Sequence, residues 1–456
     1  MSFFVIILID RNIGDDMSQK KVKKRKLKKA KLFSFVFCVY SIVFFIFCLC
    51  FYGFRLVKYY KIYNPKSENG EKIELLSSHI SQNTSIVYDG DGLYKDGGSY
   101  IFKGTNINNY ITYSGLLWRI VKINNDGTID IILNDHINDL MWNSKITKYM
   151  DSDIHKYLND KFLSILNQEY LEKTSICTDV ISDLQSITCE KVNKEDYVKL
   201  INITDYLNSK SEKTFINDDD SLWTSDASKE EVWYIGKDGI SSNTSEEFYR
   251  IKPEVTLKSA LTLIDGDGTK ENPYKIETDE KKLRVGSYVK LGEDTWIIYE
   301  KNKEDMKLIL SGLYNNGNVK KAFDTYSNKF NPDKKNSFAH YLNTTYLDSL
   351  SYKDILLDTT WNIGDYTESY EDVEDSTVSA KVGTYNVSDF KFENNLDNYF
   401  MITPQKSGIA YVYGKKTIYY KVSRMTAVRP AISIKIYDIK SGEGTKTRPY
   451  ELEVTK

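Results

Sequence analysis

Residues 157–163 read YLNDKFL and residues 341–347 read YLNTTYL, so one short motif occurs twice at an offset of 184. A second motif repeats at the same offset, as NITDY at 202–206 and NVSDF at 386–390. Two separated motifs that share one offset indicate that a whole module is repeated along the chain. The sequence therefore predicts two tandem modules, at residues 96–278 and 283–456.

The residues around the motif at 157–163 predict the content of one module. Residues 117–124 and 128–133 are rich in β-branched side chains, and Asn-Asp-Gly at 125–127 is typical of a hairpin turn. Apolar residues over 154–166 follow the 3.6-residue period of a helix. One or two helices beside an antiparallel sheet make an α+β module. We therefore predict a duplicated α+β fold.

The N-terminal region has the pattern of a membrane anchor. Residues 32–54 are 23 consecutive residues without a charge, which as a helix span about 35 Å. Nine basic residues lie at 20–31, so the positive-inside rule places the N-terminus in the cytoplasm. The sequence predicts a cytoplasmic tail (1–31), a transmembrane helix (32–54) and a stalk (55–90). The long apolar run favours an uncleaved signal anchor over a cleaved signal peptide.

These assignments predict a single-pass protein of the cell membrane whose C-terminus is extracellular. The lipid bilayer would contact residues 32–54. Residues 1–16 do not fit the pattern of an anchor, and Met17 is an alternative start of translation.

The charge distribution limits the partners of the exterior. Residues 1–61 carry 13 Lys and Arg against 3 Asp and Glu, a net charge of +10. The remaining residues carry 49 basic and 61 acidic groups, a net charge of −12. A large acidic body repels phosphate, so we predict no nucleic-acid partner. An extracellular glycan or protein remains as the ligand.

Cysteine usage separates the anchor from the exterior. Three of the five cysteines, Cys38, Cys48 and Cys50, lie in the predicted membrane segment. The other two, Cys177 and Cys189, lie in the predicted extracellular part, where disulfides form. They are a candidate disulfide that closes a short loop, although sequence alone does not establish that they pair.

The chain lacks the motifs of common catalytic and metal sites. It has four histidines, without an HExxH pair for zinc or a GxSxG nucleophile. The Asp-Gly-Asp triplets at 89–91 and 265–267 fail the EF-hand spacing and are more typical of turns. We therefore predict no catalytic residue, metal ligand or cofactor. Aromatic residues that stack on sugars are the remaining candidates for ligand binding, namely Trp223, Trp233, Tyr234, Tyr411 and Tyr413.

Several segments carry a resemblance to a known group of proteins. YIFKGTNINNYITYSGLLWRIVKINNDGT (100–128), YLNDKFL (157–163), and VRPAISIK (428–435) with GEGTKTRPYELE (442–453) resemble tandem surface modules of membrane-anchored proteins from low-GC Gram-positive bacteria. The resemblance covers most of residues 90–456. It implies a fold similar to the C-type-lectin-like and formylglycine-enzyme-like superfold, and no particular function.

The two modules depart from that pattern in different places. Thr295 to Ile298 replace the LWRIV segment in the second module, and Lys252-Pro253 replaces Arg-Pro in the first. A formylglycine-type enzyme also needs a reactive cysteine pair, which the second module lacks. We therefore predict a surface protein with two non-catalytic binding modules. The alternatives are an envelope-modifying enzyme on the same superfold and a structural spacer.

Overall fold

Strands in the first half of the chain form wherever Ile, Val, Leu and aromatic residues cluster between turns. The computed structural model describes residues 74–142, 146–185, 187–216, 221–277, 281–365, 376–392, 396–405, 408–413 and 416–454, with the isolated helical positions 37, 39, 41 and 44. The first-half strands are β1 (Gly92–Asp96), β2 (Ser99–Lys103), β3 (Tyr110–Tyr113), β4 (Leu116–Ile123), β5 (Ile129–Leu133), β6 (Asn138–Met141), β7 (Leu171–Glu172), β8 (Ile176–Cys177), β9 (Val192–Asn193), β10 (Val198–Leu200), β11 (Leu222–Ala227), β12 (Val232–Gly236), β13 (Gly239–Asn243), β14 (Phe248–Ile251), β15 (Pro253–Leu257) and β16 (Tyr274–Lys275).

The second half is also built of strands. They are β17 (Tyr288–Leu291), β18 (Asp294–Lys301), β19 (Asp305–Leu310), β20 (Lys320–Ala322), β21 (Thr359–Asn362), β22 (Thr377–Ala380), β23 (Val382–Gly383), β24 (Tyr399–Gln405), β25 (Gly408–Tyr413), β26 (Lys416–Lys421), β27 (Met425–Ala427), β28 (Ala431–Lys435), β29 (Ile439–Ser441) and β30 (Tyr450–Leu452).

The helices of the described part are short. They are α1 (Leu76–Asn83), α2 (Asp153–Tyr157), α3 (Ile203–Asn208), α4 (Phe338–Tyr341) and α5 (Leu347–Ser349). A π-helical turn follows α2 at Leu158–Phe162 and another follows α4 at Leu342–Tyr346. Turns of 3-10 helix lie at Tyr149–Asp151, Leu163–Ile165, Gln168–Tyr170, Tyr314–Gly317 and Lys353–Ile355.

The two halves share one strand order. The main sheet of the first module contains the path β10-β15-β5-β4-β3-β16, and that of the second contains β23-β28-β19-β18-β17-β30. The second sheets are β13-β12-β11-β14-β6 and β26-β25-β24-β27-β20. Each second sheet has a single parallel pair at the same place, between β11 and β14 and between β24 and β27. The predicted hairpin is confirmed, since β4 and β5 pair in antiparallel register across the turn at 125–127.

The first repeated motif makes the same bonds in both modules, to the strand that lies just before the second motif. Asn159 of YLNDKFL donates its side-chain amide to the carbonyls of Val198 and His155 and accepts from the N–H of Val198. Asn343 of YLNTTYL makes the same bonds to Val382 and to Ala339, at distances of 2.8 to 3.0 Å. In both modules this asparagine joins the helix to the edge strand of the main sheet.

The same asparagine explains why the predicted helix at 154–166 is shorter than expected. Its amide takes the carbonyl of His155, four residues earlier, which in a continuing α-helix accepts a backbone N–H. The backbone therefore widens into the π turn at Leu158–Phe162 and ends in a 3-10 turn.

We expect removal of this asparagine to destabilise either module. Asn159→Ala and Asn343→Ala each leave buried strand groups without a partner, which costs about 2 to 4 kcal/mol of unfolding free energy. Urea unfolding measures the loss, with exposed Asn208→Ala as the control. A loss below about 1 kcal/mol in both variants contradicts this role of the asparagine.

The GDGT motif at 266–269 and the GEGT motif at 442–445 each form a turn whose first residue must be glycine. At Gly266 a Cβ atom would lie 2.1 Å from the carbonyl oxygen of Pro273, and at Gly442 it would lie 2.1 Å from that of Pro449. Both glycines have positive φ angles, of 98° and 94°. The prolines precede the tyrosines that begin β16 and β30, so the motif brings the last strand of each module back onto its main sheet.

The structure corrects the predicted fold class. The described part is mostly β-sheet with few helices, and its longest helix has eight residues, so the α+β prediction is wrong. No helix among the described residues has the length and apolarity to cross a membrane. Apart from positions 37, 39, 41 and 44, the predicted tail, transmembrane helix and residues 55–73 of the stalk lie outside the described part.

The described end of the predicted stalk packs on the first module. Residues 74–83 contribute a backbone bridge between Leu75 and Thr262 and then form α1. Leu76 and Ile80 of α1 are fully buried in the core. Burial of these two side chains, about 1.5 to 3 kcal/mol each, explains why this polar-looking segment is ordered.

The two modules form one compact unit over residues 74–456. Asn138 of the first module donates to two backbone carbonyls of the second, at 2.7 and 3.0 Å. Asp139 lies 3.6 Å from Lys391 of the second module, and both are buried. Phe390 packs on Phe162 with ring centroids 5.8 Å apart. The modules are therefore joined by a packed interface that contains an ion pair.

Candidate functional site

One face of the first module's main sheet is polar. Val198, Leu200 and Val255 point into the core, as the alternation of a strand requires. Between them, Lys199 and Glu254 are direct cross-strand partners of β10 and β15 and point to the other face. Charged residues are rarely fully buried unless they are paired, so this face needs an explanation.

Lys199 is the centre of a group of carboxylates. Its Nζ lies 3.0 Å from Glu254 Oε1 and 3.7 Å from Asp205 Oδ2. The side chains of Lys199 and Glu254 are 6% and 0% exposed. Asp130 of β5 pairs with Thr256, two residues beyond Glu254 in β15, and accepts a hydrogen bond from the Thr256 hydroxyl at 2.7 Å. Asp226 of β11 lies on the same side of the sheet, so carboxyl groups outnumber the one ammonium.

Burial and crowding change the protonation of this group. Burial is the main cause that raises the pKa of Glu254 to about 8; the ammonium of Lys199 opposes it, and the carboxylates of Asp205 and Asp130 add to it. Burial would lower the pKa of Lys199, but the carboxyl group of Glu254, followed by the carboxylates of Asp205 and Asp130, outweighs burial and raises that pKa above its ordinary value. At neutral pH Lys199 is therefore charged, and Glu254 is largely protonated.

Asp226 has a structural partner. Burial raises its pKa to about 6, although its carboxylate accepts a hydrogen bond from the backbone N–H of Ile203 at 2.6 Å. In the second module the hydroxyl of Thr403 accepts from the N–H of Val387 at 3.0 Å, in the corresponding place. Asp226 therefore holds the start of α3, a task that an uncharged threonine performs in the second module.

A cavity of about 720 Å³ opens above this face. Lys199, Asp205, Asp226 and Asp130 line its floor, whereas Glu254 lies beneath them. One wall is the loop between Cys177 and Cys189, and another is the hairpin turn of β4 and β5. The remaining lining contains hydroxyl and amide groups and the aliphatic side chains Ile181, Ile187 and Val192. It also contains five further charged side chains, Lys122, Asp126, Glu172, Lys173 and Lys194.

The candidate disulfide lies in the wall of this cavity. Cys177 and Cys189 are bonded to each other, with their Cα atoms 5.8 Å apart. Asp179 accepts from the backbone N–H groups of Glu190 and Lys191, at 2.6 and 2.9 Å, and so fastens the loop internally. Cys177, Asp179 and Cys189 lie close enough to hold a metal, and no other such group occurs among the described residues. Because the two sulfurs are joined, they offer no thiolate to an ion.

The corresponding place in the second module is filled by an apolar side chain. Gly383 pairs with Ala431 as Lys199 pairs with Glu254, so the buried lysine and glutamate are replaced by the two smallest residues. Trp361 is buried there, and a Cβ atom on Gly383 would lie 2.5 Å from its ring. The cavity of the first module therefore has no charged counterpart at this position of the second.

The predicted aromatic candidates do not line this cavity. Trp223 and Tyr411 are fully buried, and the Trp223 indole donates to a backbone carbonyl at 2.9 Å. Trp233 and Tyr234 are half-buried; the Trp233 indole donates to the carbonyl of Ile181 at 3.2 Å. The side chain of Tyr413 lies outside the described part. The described aromatics pack against neighbouring rings, such as Tyr234 on Tyr249 at 4.5 Å.

Other residues singled out in the sequence have local roles. Asp267 accepts a hydrogen bond from the backbone N–H of Thr269 in its own turn, and Asp91 accepts from those of Thr105 and Asn106 in a neighbouring loop, which favours structural roles over calcium sites. Hydrogen bonds to this carboxylate, first from Ser211 and then from two backbone N–H groups, lower the pKa of Asp91 to about 2. Arg429 is fully buried and donates to the carbonyls of Leu310 and Phe392, so the Arg-Pro pair belongs to the core.

Sequence reasoning missed Lys199, Glu254 and Asp226. The available signal was a lysine between Val198 and Leu200 and a glutamate between Pro253 and Val255, each inside a run of buried strand residues. Two opposite charges in separate apolar strands are typical of a buried pair. No family model, curated protein or solved structure matches this chain.

Proposed function

We propose that this chain is a cell-surface binding protein whose first module takes a hydrophilic glycan into the cavity above Lys199. The observation that carries the proposal is the difference between the two modules at one position. The second module makes the same sheet with Gly383, Ala431 and a buried Trp361. The fold therefore does not need a buried lysine and glutamate, which cost several kcal/mol to desolvate. Side chains whose burial costs free energy, and that the fold does not need, are typical of a binding site.

The chemistry of the cavity favours a glycan over an apolar ligand. Its volume of about 720 Å³ lies within the range of small-molecule sites. Hydroxyl groups of a sugar suit the carboxylate, amide and ammonium groups that line it, such as Asp205, Asn202 and Lys199. Stacking on aromatic rings is not part of this proposal, because the described lining has none.

Acid–base catalysis is the alternative, since shifted pKa values also mark active sites. Two observations weigh against it. Glu254 lies beneath the cavity floor, and Asp226 has the structural role that Thr403 performs in the second module. The ion pair and its surrounding carboxylates are better explained as a fixed, charged floor for a ligand.

The proposed place of action is the outer face of a cell membrane. The basic residues at 20–31 and the uncharged residues at 32–54 support contact with a lipid bilayer through the N-terminal region. The bond between Cys177 and Cys189 supports an oxidising compartment, where disulfides persist. The acidic remainder of the chain supports a glycan or protein partner rather than a nucleic acid.

The proposal is tested with the full-length protein on an array of bacterial envelope glycans and peptidoglycan fragments. Thr204 is exposed and lines the cavity, so Thr204→Trp fills the entrance without changing the ion pair. Lys229→Trp places the same side chain on an exposed turn outside the cavity and is the matched control. We expect at least a tenfold loss of glycan binding in Thr204→Trp and none in Lys229→Trp.

Equal binding by Thr204→Trp and the unmodified protein contradicts the assignment of this cavity. Retention of peptides alone would replace the glycan by a peptide ligand. Turnover of a bound glycan, abolished by Asp205→Asn, would establish the catalytic alternative.

A further inference from the structure

A second concave surface lies on the second module, far along the chain from the cavity above Lys199. This groove has a volume of about 1030 Å³. A ligand bound there would be distinct from the glycan proposed for the first module. Its floor contains the half-buried side chains Tyr352, Ile355, Tyr437 and Leu452. Three exposed lysines lie on its rim, namely Lys290, Lys435 and Lys440. Two exposed carboxylates, Asp354 and Glu451, lie there as well, so the groove is apolar within and carries both signs of charge at its edge, with lysines in excess.

In the first module the corresponding surface is covered by the chain itself. Glu74 accepts from the N–H of Leu263 at 2.9 Å, and the N–H of Leu76 donates to Leu261 at 2.9 Å. The segment at 74–76 thereby adds one extended strand beside residues 261–263. It then turns into α1, which buries Leu76 and Ile80.

The covering segment at 74–83 accompanies a difference in exposure between equivalent residues of the two modules. Tyr274 and Tyr450 each pair in parallel with the corresponding strand of their module, so Ile276 and Leu452 are equivalent. Ile276 is buried at 3% exposure, whereas Leu452 is half-buried. The second module therefore presents, as an open surface, the apolar positions that its twin buries.

The strand beside the groove has a free edge among the described strands. β29 is the last strand of the main sheet, and it pairs on one side with β30. The backbone carbonyl of Asp438 points toward β30 and accepts a hydrogen bond from the N–H of Glu453. The N–H of Ile439 belongs to the same peptide group and therefore points away from the sheet. This N–H corresponds to that of Leu263, which is bonded to Glu74 in the first module. The edge therefore accepts an added strand in the same way.

We propose that this groove docks a peptide segment of another protein by strand addition along Ile439–Ser441. The segment continues as one or two helical turns that place two or three aliphatic side chains on Tyr437 and Leu452. Acidic residues of the segment lie opposite Lys435 and Lys440. The covering segment of the first module, ELLSSHI at 74–80, is the template for this partner.

The test uses a labelled synthetic peptide of residues 71–84, EKIELLSSHISQNT, added to the full-length protein and followed by fluorescence anisotropy. We expect saturable binding that weakens about tenfold or more in Leu452→Asp, as loss of one buried leucine predicts. Met425→Asp is the matched control, because Met425 is an exposed apolar residue on another sheet. A peptide with serine at the positions of Leu75, Leu76 and Ile80 should not bind.

Circular dichroism of Leu452→Asp and its thermal unfolding separate lost docking from lost folding. Absence of binding, or equal binding by Leu452→Asp with an intact fold, overturns the proposal. Light scattering tests whether a second copy of this chain covers the groove. A dimer that dissociates in Leu452→Asp would show that it does, and would overturn the proposal of a foreign partner.

Discussion

Lys199→Met is expected to lower the free energy of unfolding at pH 7 by about 3 to 5 kcal/mol. Methionine keeps the length of the side chain but removes the ammonium 3.0 Å from Glu254 and 3.7 Å from Asp205. The carboxylates of Asp205 and Asp130 then lose the buried cation that compensates them, which resembles the costly case of a broken buried ion pair. Urea unfolding of the full-length protein measures the difference.

Lys173→Met is the matched control. Lys173 lines the rim of the same cavity, and its Nζ lies 2.6 Å from Glu195 in an exposed pair. Exposed pairs contribute little because water and salt screen them, so we expect no measurable change. Similar losses in the two lysine variants would contradict the special role of Lys199. Partial recovery in the double variant Lys199→Met, Asp205→Asn would support it.

The free energy of unfolding should fall as the pH rises from about 4.5 to about 8. The pKa of Glu254 is about 8 in the folded protein and 4.5 in a free side chain, so the folded state keeps a proton that the unfolded state releases. The stability from this proton is complete below pH 4.5 and is lost as the pH passes through 8. A shift of this size is worth on the order of 5 kcal/mol. Asp226 contributes with the same sign between about pH 4 and 6.

Glu254→Gln tests this pH dependence, because glutamine resembles the protonated acid. We expect the variant to match the unmodified protein within about 1 kcal/mol at pH 5 and to lose most of the slope between pH 6 and 8. Carboxylates with a lowered pKa, such as those of Asp91 and Asp139, reduce the stability of the protein only when more acidic solution protonates them, outside this pH window. An unchanged slope in Glu254→Gln would show that Glu254 is already ionised in the folded protein.

Local patterns in the sequence predicted part of the fold. The hairpin at 117–133 was predicted because its turn chemistry and its β-branched strands agree, and both act between neighbours in the chain. The helix at 154–166 was predicted too long, because the amide of Asn159 takes its partner from a strand 39 residues away. Apolar periodicity records which side faces the core, and it contains no information about such a distant bond. The α+β class failed for this reason.

The candidate site was less accessible to sequence reasoning than the fold. Lys199 and Glu254 lie 55 residues apart and meet only through the register of β10 and β15. The aromatic candidates Trp223 and Tyr411 were selected by residue type, although both lie in strands whose neighbouring residues are buried on both faces. A comparison of the two repeats position by position, once the register was known, was needed to show that Gly383 and Trp361 replace a charged centre.

The close approach of Trp361 to Gly383 also constrains how the duplicated halves evolve. Any side chain on Gly383 collides with the indole, and deletion of the indole alone leaves an apolar void that costs about 3 to 5 kcal/mol. In the opposite direction, loss of Lys199 leaves its carboxylates without a counterion. Each route between the two states passes through a defective intermediate, so single mutations do not interconvert them. The two modules are therefore separated by a mutational barrier, which keeps a cavity in the first and a packed tryptophan in the second.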